Sequence, residues 1–310
     1  MSEHFISIDE VKIHACALGF QGCGASKAEP LNMERFYEWT KKNYNAGMSY
    51  LNNYNDKRAE VQKLVPNAKT VFSFFISYNM NNNRNEGKYK IASYALGYDY
   101  HKVIKNKLYK LVKTIQERHP DFEARVFVDS APVMEKTWAQ KAGLGWIGKN
   151  SCFINRIFGS KILLGEIICN FTSDYASESK DHCGKCNKCI NSCPNNAILP
   201  NRTIDSNKCI AYHTIENKGN IPESIRLDNY IYGCDICLEN CIWNKKARIV
   251  RTEEFLQRKE ITNLLSKAEK DSLEKSDFNR AKKHSALDRI KFDKLKSNIQ
   301  SCNKNQNLIK

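Results

Sequence analysis

The segment Cys183-Gly-Lys-Cys186-Asn-Lys-Cys189-Ile-Asn-Ser-Cys193-Pro194 decides how this chain of 310 residues is organised. Its spacing is typical of bacterial ferredoxins, in which three closely spaced thiolates hold one iron–sulfur cluster and the fourth ligates a second cluster. One such run therefore predicts a second set of thiols elsewhere in the sequence. Four further cysteines complete that set: Cys209, Cys234, Cys237 and Cys241.

These eight thiols are enough for two 4Fe-4S clusters, and the crossed-ligand rule divides them into two groups. The first cluster is predicted to bind Cys183, Cys186, Cys189 and Cys241, and the second to bind Cys193, Cys209, Cys234 and Cys237. A pair of zinc sites is the alternative, but zinc modules space their CxxC pairs more widely. The remaining cysteines have no ligand spacing and are interpreted as ordinary free thiols: Cys16, Cys23, Cys152, Cys169 and Cys302.

The composition indicates a folded protein in a reducing compartment. With 41% hydrophobic and 10% aromatic residues, the chain has enough apolar material for roughly two domains. Thirteen cysteines without an export signal favour metal binding or catalysis over disulfides. The start of the chain lacks the basic and apolar regions of a signal peptide, and no apolar run reaches membrane length. We therefore expect a cytoplasmic protein that is neither exported nor membrane-spanning.

The chain carries a net charge of 49 − 34 = +15, from Lys plus Arg against Asp plus Glu. Such a surplus attracts a polyanion, because neutralising phosphates releases counterions. A lysine-rich proteome would give the same value, so the charge alone leaves both interpretations open.

The sequence divides into three segments. Residues 1–172 mix strand-like and helix-like patterns and predict an α/β (α+β) domain, with a strand over Thr70–Ser77 and a helix over Tyr100–Glu117. A polar stretch then leads into a ferredoxin-type domain over residues 173–250. Residues 251–310 are basic and helix-prone, and predict a short helical tail with room for about one helical repeat and a frayed end over 301–310.

Asp129 and Ser130 follow a predicted strand over Arg125–Val128. They are predicted to cap a helix that carries Pro132 in its first turn and ends near Gly143. The dipole of such a helix would favour the charged form of Asp129 and lower its pKa. The following GxGxxG letters come after a helix rather than a strand, which argues against a dinucleotide site.

Several motifs in one order resemble the epoxyqueuosine reductase family, over residues 1 to about 250. Besides the ferredoxin run and Lys57-Arg58, they are Gly47-Met-Ser-Tyr-Leu51, Tyr94-Ala-Leu-Gly-Tyr-Asp-Tyr-His101, Val128-Asp-Ser-Ala-Pro-Val-Met-Glu135, Gly143-Leu-Gly-Trp-Ile-Gly-Lys-Asn150, Cys209-Ile-Ala-Tyr-His-Thr-Ile-Glu216 and Gly233-Cys-Asp-Ile-Cys237. The resemblance implies a cobalamin-dependent iron–sulfur enzyme whose first domain is related to reductive dehalogenases. It would reduce the epoxide of epoxyqueuosine at the wobble position of tRNA anticodons, releasing water, in the last step of queuosine biosynthesis.

The resemblance also implies roles for individual residues. Asp129 would be the proton donor, although an Asp at a helix start is more often only a cap. The residues that would contact cobalamin are Arg58, Tyr94, Asp99, His101, Asp129, Lys149 and Asn150. Lys218 would meet tRNA phosphate, and the tail residues Lys282, Lys283 and Arg289 are further candidates, although charged helix faces are usually only solvated.

The remaining expectations concern partners and rival functions. A low-potential donor would supply electrons, and the protein would act as a monomer because tRNA provides the large partner surface. The alternatives are a cobalamin-dependent, dehalogenase-like reductase of a small molecule, a non-catalytic iron–sulfur electron-transfer protein, and a zinc-bearing RNA-binding module. Bound cobalamin would exclude the electron-transfer protein, and a zinc-bearing module would be colourless after purification.

Overall fold

A computed structural model describes residues 4–80 and 87–308 of the chain. The strands are β1 (Gly22–Lys27), β2 (Thr70–Ser77), β3 (Lys90–Ile91), β4 (Ala124–Phe127), β5 (Trp146–Ile147), β6 (Phe153–Ile154), β7 (Ile162–Cys169), β8 (Ile198–Leu199), β9 (Thr203–Ile204) and β10 (Tyr230–Tyr232). The α-helices are α1 (Ile8–Ala17), α2 (Glu34–Lys41), α3 (Asn55–Ala59), α4 (Tyr100–Gln116), α5 (Glu135–Lys141), α6 (Lys188–Ser192), α7 (Ile236–Glu239), α8 (Ile242–Lys245), α9 (Lys259–Glu269), α10 (Lys275–Lys282) and α11 (Phe292–Leu308). Short 3₁₀ turns and one π-helical segment, Tyr212–Glu216, join them.

The first core is built on a four-stranded antiparallel sheet with the order β1-β2-β7-β4. The strand predicted over Thr70–Ser77 is confirmed as β2, which pairs along its whole length with β7. Because side chains alternate along a strand, β7 directs Ile167 towards α1 and α4 and directs Glu166 and Ile168 towards α5. Helices therefore cover both faces of the sheet, which makes the arrangement α+β.

Helix α4 forms as its sequence predicts, within one residue of the expected end. The Asp99 side chain caps it by accepting the backbone N–H of His101. A buried stripe then packs on the sheet, formed by Ile104, Leu108, Leu111, Val112 and Ile115. The cap fixes the start of α4 beside the end of β4, where Asp129 lies.

The prediction that Asp129 and Ser130 cap the next helix is wrong. Helix α5 begins only at Glu135, and its N-cap position is held by Met134 without a side-chain hydrogen bond. Asp129 instead adopts a left-handed conformation with a φ of 47°. The helix dipole of α5 therefore does not account for the charge state of the Asp129 carboxyl group.

The second core joins distant parts of the chain. Strand β3 pairs in parallel with β10, and the helices of the tail pack around this pair. Its buried side chains include Tyr89, Ile91, Leu96, Tyr230, Tyr232, Ile261, Leu264, Phe278, Leu287 and Leu295. These side chains come from all three predicted segments, and the boundaries 1–172, 173–250 and 251–310 stay a prediction.

The helical nature of the tail is confirmed, but its end is not frayed as predicted. Helix α11 continues to Leu308, and Cys302 within it is buried against the second core. Residues 309–310 lie outside the described part of the chain. None of the helices in the described ranges combines the length and the apolar character needed to cross a membrane.

Candidate functional site

A cavity of about 780 Å³ lies near the sheet. It lies where the loop between β4 and α5, the start of α4, and the π-helical segment meet. Its lining includes Phe36, Tyr50, Leu51, Arg58, Tyr94, Tyr100, His101, Asp129, Pro132, Met134, Cys209, Tyr212, Ile215, Glu216, Tyr232 and Arg289. A pocket of this size with apolar walls and a few polar groups is typical of sites for large ligands.

Asp129 points into this cavity and is held by two side chains from α4. The Tyr100 hydroxyl donates to Oδ2 of Asp129, and Nε2 of His101 lies 3.4 Å from the same oxygen. The other ring nitrogen of His101, Nδ1, lies 2.7 Å from Oδ1 of Asp99. The His101 imidazole therefore bridges two carboxylates, of which only Asp129 reaches the cavity.

These contacts set the charge states of the two central groups. Burial alone would lower the pKa of His101, but its hydrogen bonds to Asp129 and Asp99, with their charges, outweigh burial and raise it to about 9. Burial alone would raise the pKa of Asp129, but the bonds from His101 and Tyr100 outweigh it and lower that pKa. At neutral pH the site therefore holds an imidazolium beside a carboxylate, with the proton on His101.

The backbone of Asp129 is also anchored. Its amide N–H donates to the Glu135 carboxylate at the start of α5. A left-handed conformation is unfavourable for most residues, although Asp tolerates it better than most. The hydrogen bond to Glu135 stabilises this conformation, which turns the Asp129 side chain towards Tyr100 and His101.

Tyrosine rings form one wall of the cavity. Tyr94 packs edge-on against Tyr100 with ring centroids 5.9 Å apart and lies 6.4 Å from the Tyr232 ring. Tyr100 also stacks on the His101 imidazole at 4.0 Å. Arg58 is buried at the opposite rim, where its guanidinium donates to the carbonyl of Asn53. The ring contacts and the Arg58 hydrogen bond hold these side chains in place around the cavity.

The residues predicted to contact cobalamin are only partly brought together. Arg58, Tyr94, His101 and Asp129 line the cavity, and Asp99 stands behind His101. Lys149 and Asn150 do not belong to this lining. They line a smaller cavity with Cys183 and other thiols instead.

The position of Lys149 and Asn150 at the smaller cavity has a structural cause, and their contact with cobalamin stays a prediction. Strands β5 and β6 pair as a hairpin, and residues 148–152 form its turn. This hairpin packs Trp146 and Ile154 against Cys241 and Trp243. The Lys149 ammonium consequently donates to the side-chain carbonyl of Asn187, beside the ferredoxin run.

The first predicted group of thiols lies around that smaller cavity. Cys183, Cys186, Cys189 and Cys241 all line it. Burial, followed by the charges of Cys241, Cys183 and Cys186, raises the pKa of Cys189 to about 11. Cys241 thus joins three thiols that are more than fifty residues earlier in the chain, as the crossed-ligand rule requires.

The second predicted group is also brought together. Burial raises the pKa of Cys234, with further contributions from the neighbouring Cys209 and Cys193 thiolates. Cys237 lies near Cys234 and Cys209 as well. Cys209 also lines the large cavity, so this thiol connects the second group with Asp129 and its neighbours. The assignment of individual ligands remains a prediction that this arrangement supports.

Four groups near the site were not assigned a role from the sequence. Cys152, interpreted as a free thiol, lies beside Cys237 of the second group. Tyr100 holds Asp129, and no local pattern distinguishes it from other tyrosines of α4. Glu166 is different, because a single acidic residue in the apolar strand Ile162–Cys169 is a recognisable signal. Glu135 was interpreted simply as part of its helix.

Two groups of four thiols beside a cavity with a hydrogen-bonded acid define an iron–sulfur oxidoreductase. Residues 182–244 match the family model described as "4Fe-4S double cluster binding domain", and residues 58–130 match "Epoxyqueuosine reductase QueG, DUF1730". The epoxyqueuosine reductase of Leadbetterella byssophila is 43% identical over 294 residues, which cover 94% of this chain and 96% of that protein. The chain belongs to the epoxyqueuosine reductase family.

Solved structures show the same fold. A crystal structure of an epoxyqueuosine reductase with an epoxyqueuosine-modified tRNA-Tyr stem loop superposes with a TM-score of 0.83 at 24% identity, covering 95% of this chain and 80% of that one. The catabolic reductive dehalogenase NpRdhA matches with a TM-score of 0.50 at 14% identity, over 96% of this chain and 36% of that one. The predicted fold class is thereby confirmed.

Proposed function

We propose that this protein reduces the epoxide of epoxyqueuosine in tRNA to the alkene of queuosine. The single observation that carries the proposal is that Asp129 and the thiol Cys209 line the same cavity. In this cavity Asp129 is held by Tyr100 and His101. A source of protons and a source of electrons thus meet at one ligand site. Membership of the epoxyqueuosine reductase family supplies the reaction to which this arrangement is assigned.

The balance of the reaction requires both sources. Converting an epoxide to an alkene breaks two C–O bonds, consumes two electrons and two protons, and releases the oxygen as water. Cobalamin, when bound, supplies a reduced cobalt centre that delivers electrons to carbon. The volume of the cavity, its tyrosine wall and the buried Arg58 fit a large, flat cofactor of this kind.

Asp129 is proposed to donate a proton to the departing oxygen. Its side chain is 57% exposed to the cavity in the protein alone, where the proton lies on His101. A cofactor and substrate that cover this carboxyl group would remove water from it and raise its pKa. The proton would then pass from Nε2 of His101 to the Asp129 carboxylate and on to the substrate oxygen.

Electrons are proposed to enter at the first group of thiols and leave from the second. The second group includes Cys209, which lines the large cavity, whereas the first group lines the small cavity beside the exposed Lys188. A low-potential donor would therefore dock on the side of Cys183 and Cys186. The double-cluster family match supports two 4Fe-4S clusters in this role.

Lys218 is proposed to contact tRNA phosphate. It is exposed and follows the π-helical segment whose last residue, Glu216, lines the cavity. Arg289 is less available, because it is paired with Glu216 at 2.8 Å. The net charge of +15 and the tRNA stem loop bound by a relative of the same fold support this partner. We propose a cytoplasmic monomer, since tRNA supplies the large partner surface.

The test uses the full chain, purified without air and reconstituted with iron, sulfide and cobalamin. It is incubated with epoxyqueuosine-containing tRNA and a low-potential reductant, and nucleosides are quantified by mass spectrometry. Queuosine that forms only when cobalamin is present is the expected result. Unchanged tRNA with bound cobalamin would indicate a small-molecule reductase, and no cobalamin binding would indicate an electron-transfer protein.

A further inference from the structure

Glu166 is a buried acid that the proposed reaction does not use. It lies in the middle of β7 and is 0% exposed. Neither of its carboxyl oxygens accepts a hydrogen bond from an N–H or hydroxyl group of the described residues. Ser73 lies directly opposite on β2, and its hydroxyl is also without a partner. A carboxylate in such surroundings would be strongly unfavourable.

The group that Glu166 does meet is another carboxyl. Glu135, the first residue of α5, approaches it closely enough for a hydrogen bond between the two side chains. Three further titratable groups face this pair. Asp129 adds a negative charge, Lys136 adds a positive charge from α5, and the Tyr100 hydroxyl faces it from α4. No element packed against the pair buries a cation beside it within the described residues.

Two carboxyl groups in contact can form a hydrogen bond only when one of them carries a proton. Burial raises the pKa of Glu166, and the neighbouring charge of Glu135 raises it further. Burial, followed by the charge of Asp129, raises the pKa of Glu135 to about 7. Since like charges in contact cannot both ionise in a low-dielectric layer, the pair retains at least one proton at neutral pH.

We propose that Glu135 and Glu166 share a proton and that this protonated pair positions Asp129 for catalysis. One carboxyl oxygen of Glu135 accepts the backbone N–H of Asp129, whose conformation is left-handed. The proton shared with Glu166 fixes the other side of the Glu135 carboxyl group. Glu166 thus acts on the Asp129 turn through Glu135, and its role in the reaction rests on the proposed function.

The pair is a positioning device rather than a second donor to the substrate. Neither Glu135 nor Glu166 lines the cavity, and the backbone of Asp129 stands between them and it. Loss of the shared proton at high pH would place two negative charges in contact and push Glu135 away. At high pH the backbone N–H of Asp129 would then lose its hydrogen bond to Glu135. At low pH a further proton on the pair would not cause repulsion between Glu135 and Glu166.

The test compares three variants of the full chain. Glu166→Gln keeps an N–H donor for Glu135 but has no acidic proton, and Glu166→Ala removes both. Ser73→Ala is the matched control, because it changes the residue opposite Glu166 without touching the pair. Infrared difference spectra of the cobalamin-free protein should show a carboxylic acid band, sensitive to D₂O, that is present in the wild type and Ser73→Ala and lost in Glu166→Gln.

Two further readouts separate positioning from packing. Hydrogen exchange at the Asp129 amide should accelerate about tenfold in Glu166→Ala and return to the wild-type rate in Glu166→Gln. In the reconstituted enzyme, kcat should fall about tenfold in Glu166→Ala with KM unchanged, and Glu166→Gln should restore most of it.

Absence of the acid band in the wild type, or its survival in Glu166→Gln, would overturn the shared proton. Equal exchange rates in Glu166→Ala and Ser73→Ala would overturn the positioning role. If Glu166→Ala does not fold, the infrared spectrum of Glu166→Gln still tests the shared proton. Hydrogen exchange at the Asp129 amide of Glu166→Gln at rising pH then tests the positioning role. The infrared and exchange readouts use no substrate, so inactivity towards tRNA alone would refute the proposed function and not the pair.

Discussion

The cavity around Asp129 and the region of the eight thiols are stabilised in different ways. Around the cavity, a sheet, two helices and a chain of hydrogen bonds between side chains hold the polar groups. Among the thiols, Cys189 lies on α6 and Cys237 on α7, which have 5 and 4 residues, Cys241 precedes the 4-residue α8, and the others lie outside the α-helices. Helices this short are unstable in isolation. Hydrogen bonds between side chains thus hold the groups around Asp129, whereas the thiols lie on or next to elements too short to be stable in isolation.

The two regions meet at Cys209. This thiol belongs to the predicted second cluster and also lines the cavity. The comparison therefore predicts that loss of a ligand of the second cluster affects the cavity through Cys209. The following changes sharpen that comparison, in order of decreasing effect.

Cys237→Ala should have the largest effect, because it removes a ligand of the second cluster. We expect the variant to lose about half of its iron and sulfide and to lose detectable turnover, since electrons would no longer reach the cavity. Metal analysis and electron paramagnetic resonance measure the clusters. Cys16→Ala, which changes an exposed thiol on α1, is the control. Full turnover with half the iron would contradict the proposed electron route.

Asp129→Asn should lower kcat by about 10²- to 10⁴-fold, the usual contribution of a general acid. Iron content should stay normal because Asp129 is not one of the predicted cluster ligands, and cobalamin binding should stay normal because Asn keeps the size and shape of the side chain. The control is Asp121→Asn, which alters an exposed carboxylate. Near-normal turnover of Asp129→Asn with cobalamin bound would eliminate the acid assignment.

His101→Gln should lower turnover by about tenfold and change the pH dependence of stability. Folding raises the pKa of His101 from 6.5 to about 9, so the folded state binds this proton more tightly. The stabilisation that protonated His101 gives the folded state is therefore complete below about pH 6.5 and is lost as the pH rises through 9. Thermal unfolding of wild type and variant should differ most at pH 6 and least near pH 10. A difference that grows with pH would show the opposite linkage.

Lys218→Ala should have the smallest effect. Binding of tRNA by the wild type should weaken steeply with salt, and the variant should reduce the slope of log affinity against log salt by about 1. Lys12→Ala, on exposed helix α1, should leave the slope unchanged. A flat salt dependence in the wild type would argue against phosphate contacts altogether.

The predictability of these regions from sequence also differs. Ligand spacing in the ferredoxin run is local, so the two groups of thiols could be proposed from the sequence alone. The surroundings of Asp129 depend on Tyr100, His101 and Glu135, which only the tertiary structure brings together. The prediction that a helix starts directly after Asp129 was wrong, because Asp129 adopts a left-handed conformation and α5 begins only at Glu135.

Lys149 illustrates the same limit. It lies in a motif shared with the family, and the resemblance placed it with the corrin. The pairing of β5 with β6 brings its ammonium group to Asn187 in the ferredoxin run, a contact that the motif alone does not indicate. Glu166 can be recognised in the sequence as one acidic residue inside an apolar strand. Its contact with Glu135 is visible only in the structure.

The parallel pairing of β3 with β10 means that β3 cannot complete its sheet until β10 has been synthesised. A ribosome adds roughly 5–20 residues per second, so β3 waits on the order of ten seconds for its partner strand. The same core also needs α9 and α11, which emerge after Cys241. All eight predicted ligands are therefore outside or near the ribosome exit before this core closes. Iron and sulfide can therefore reach the predicted ligands before the second core has formed.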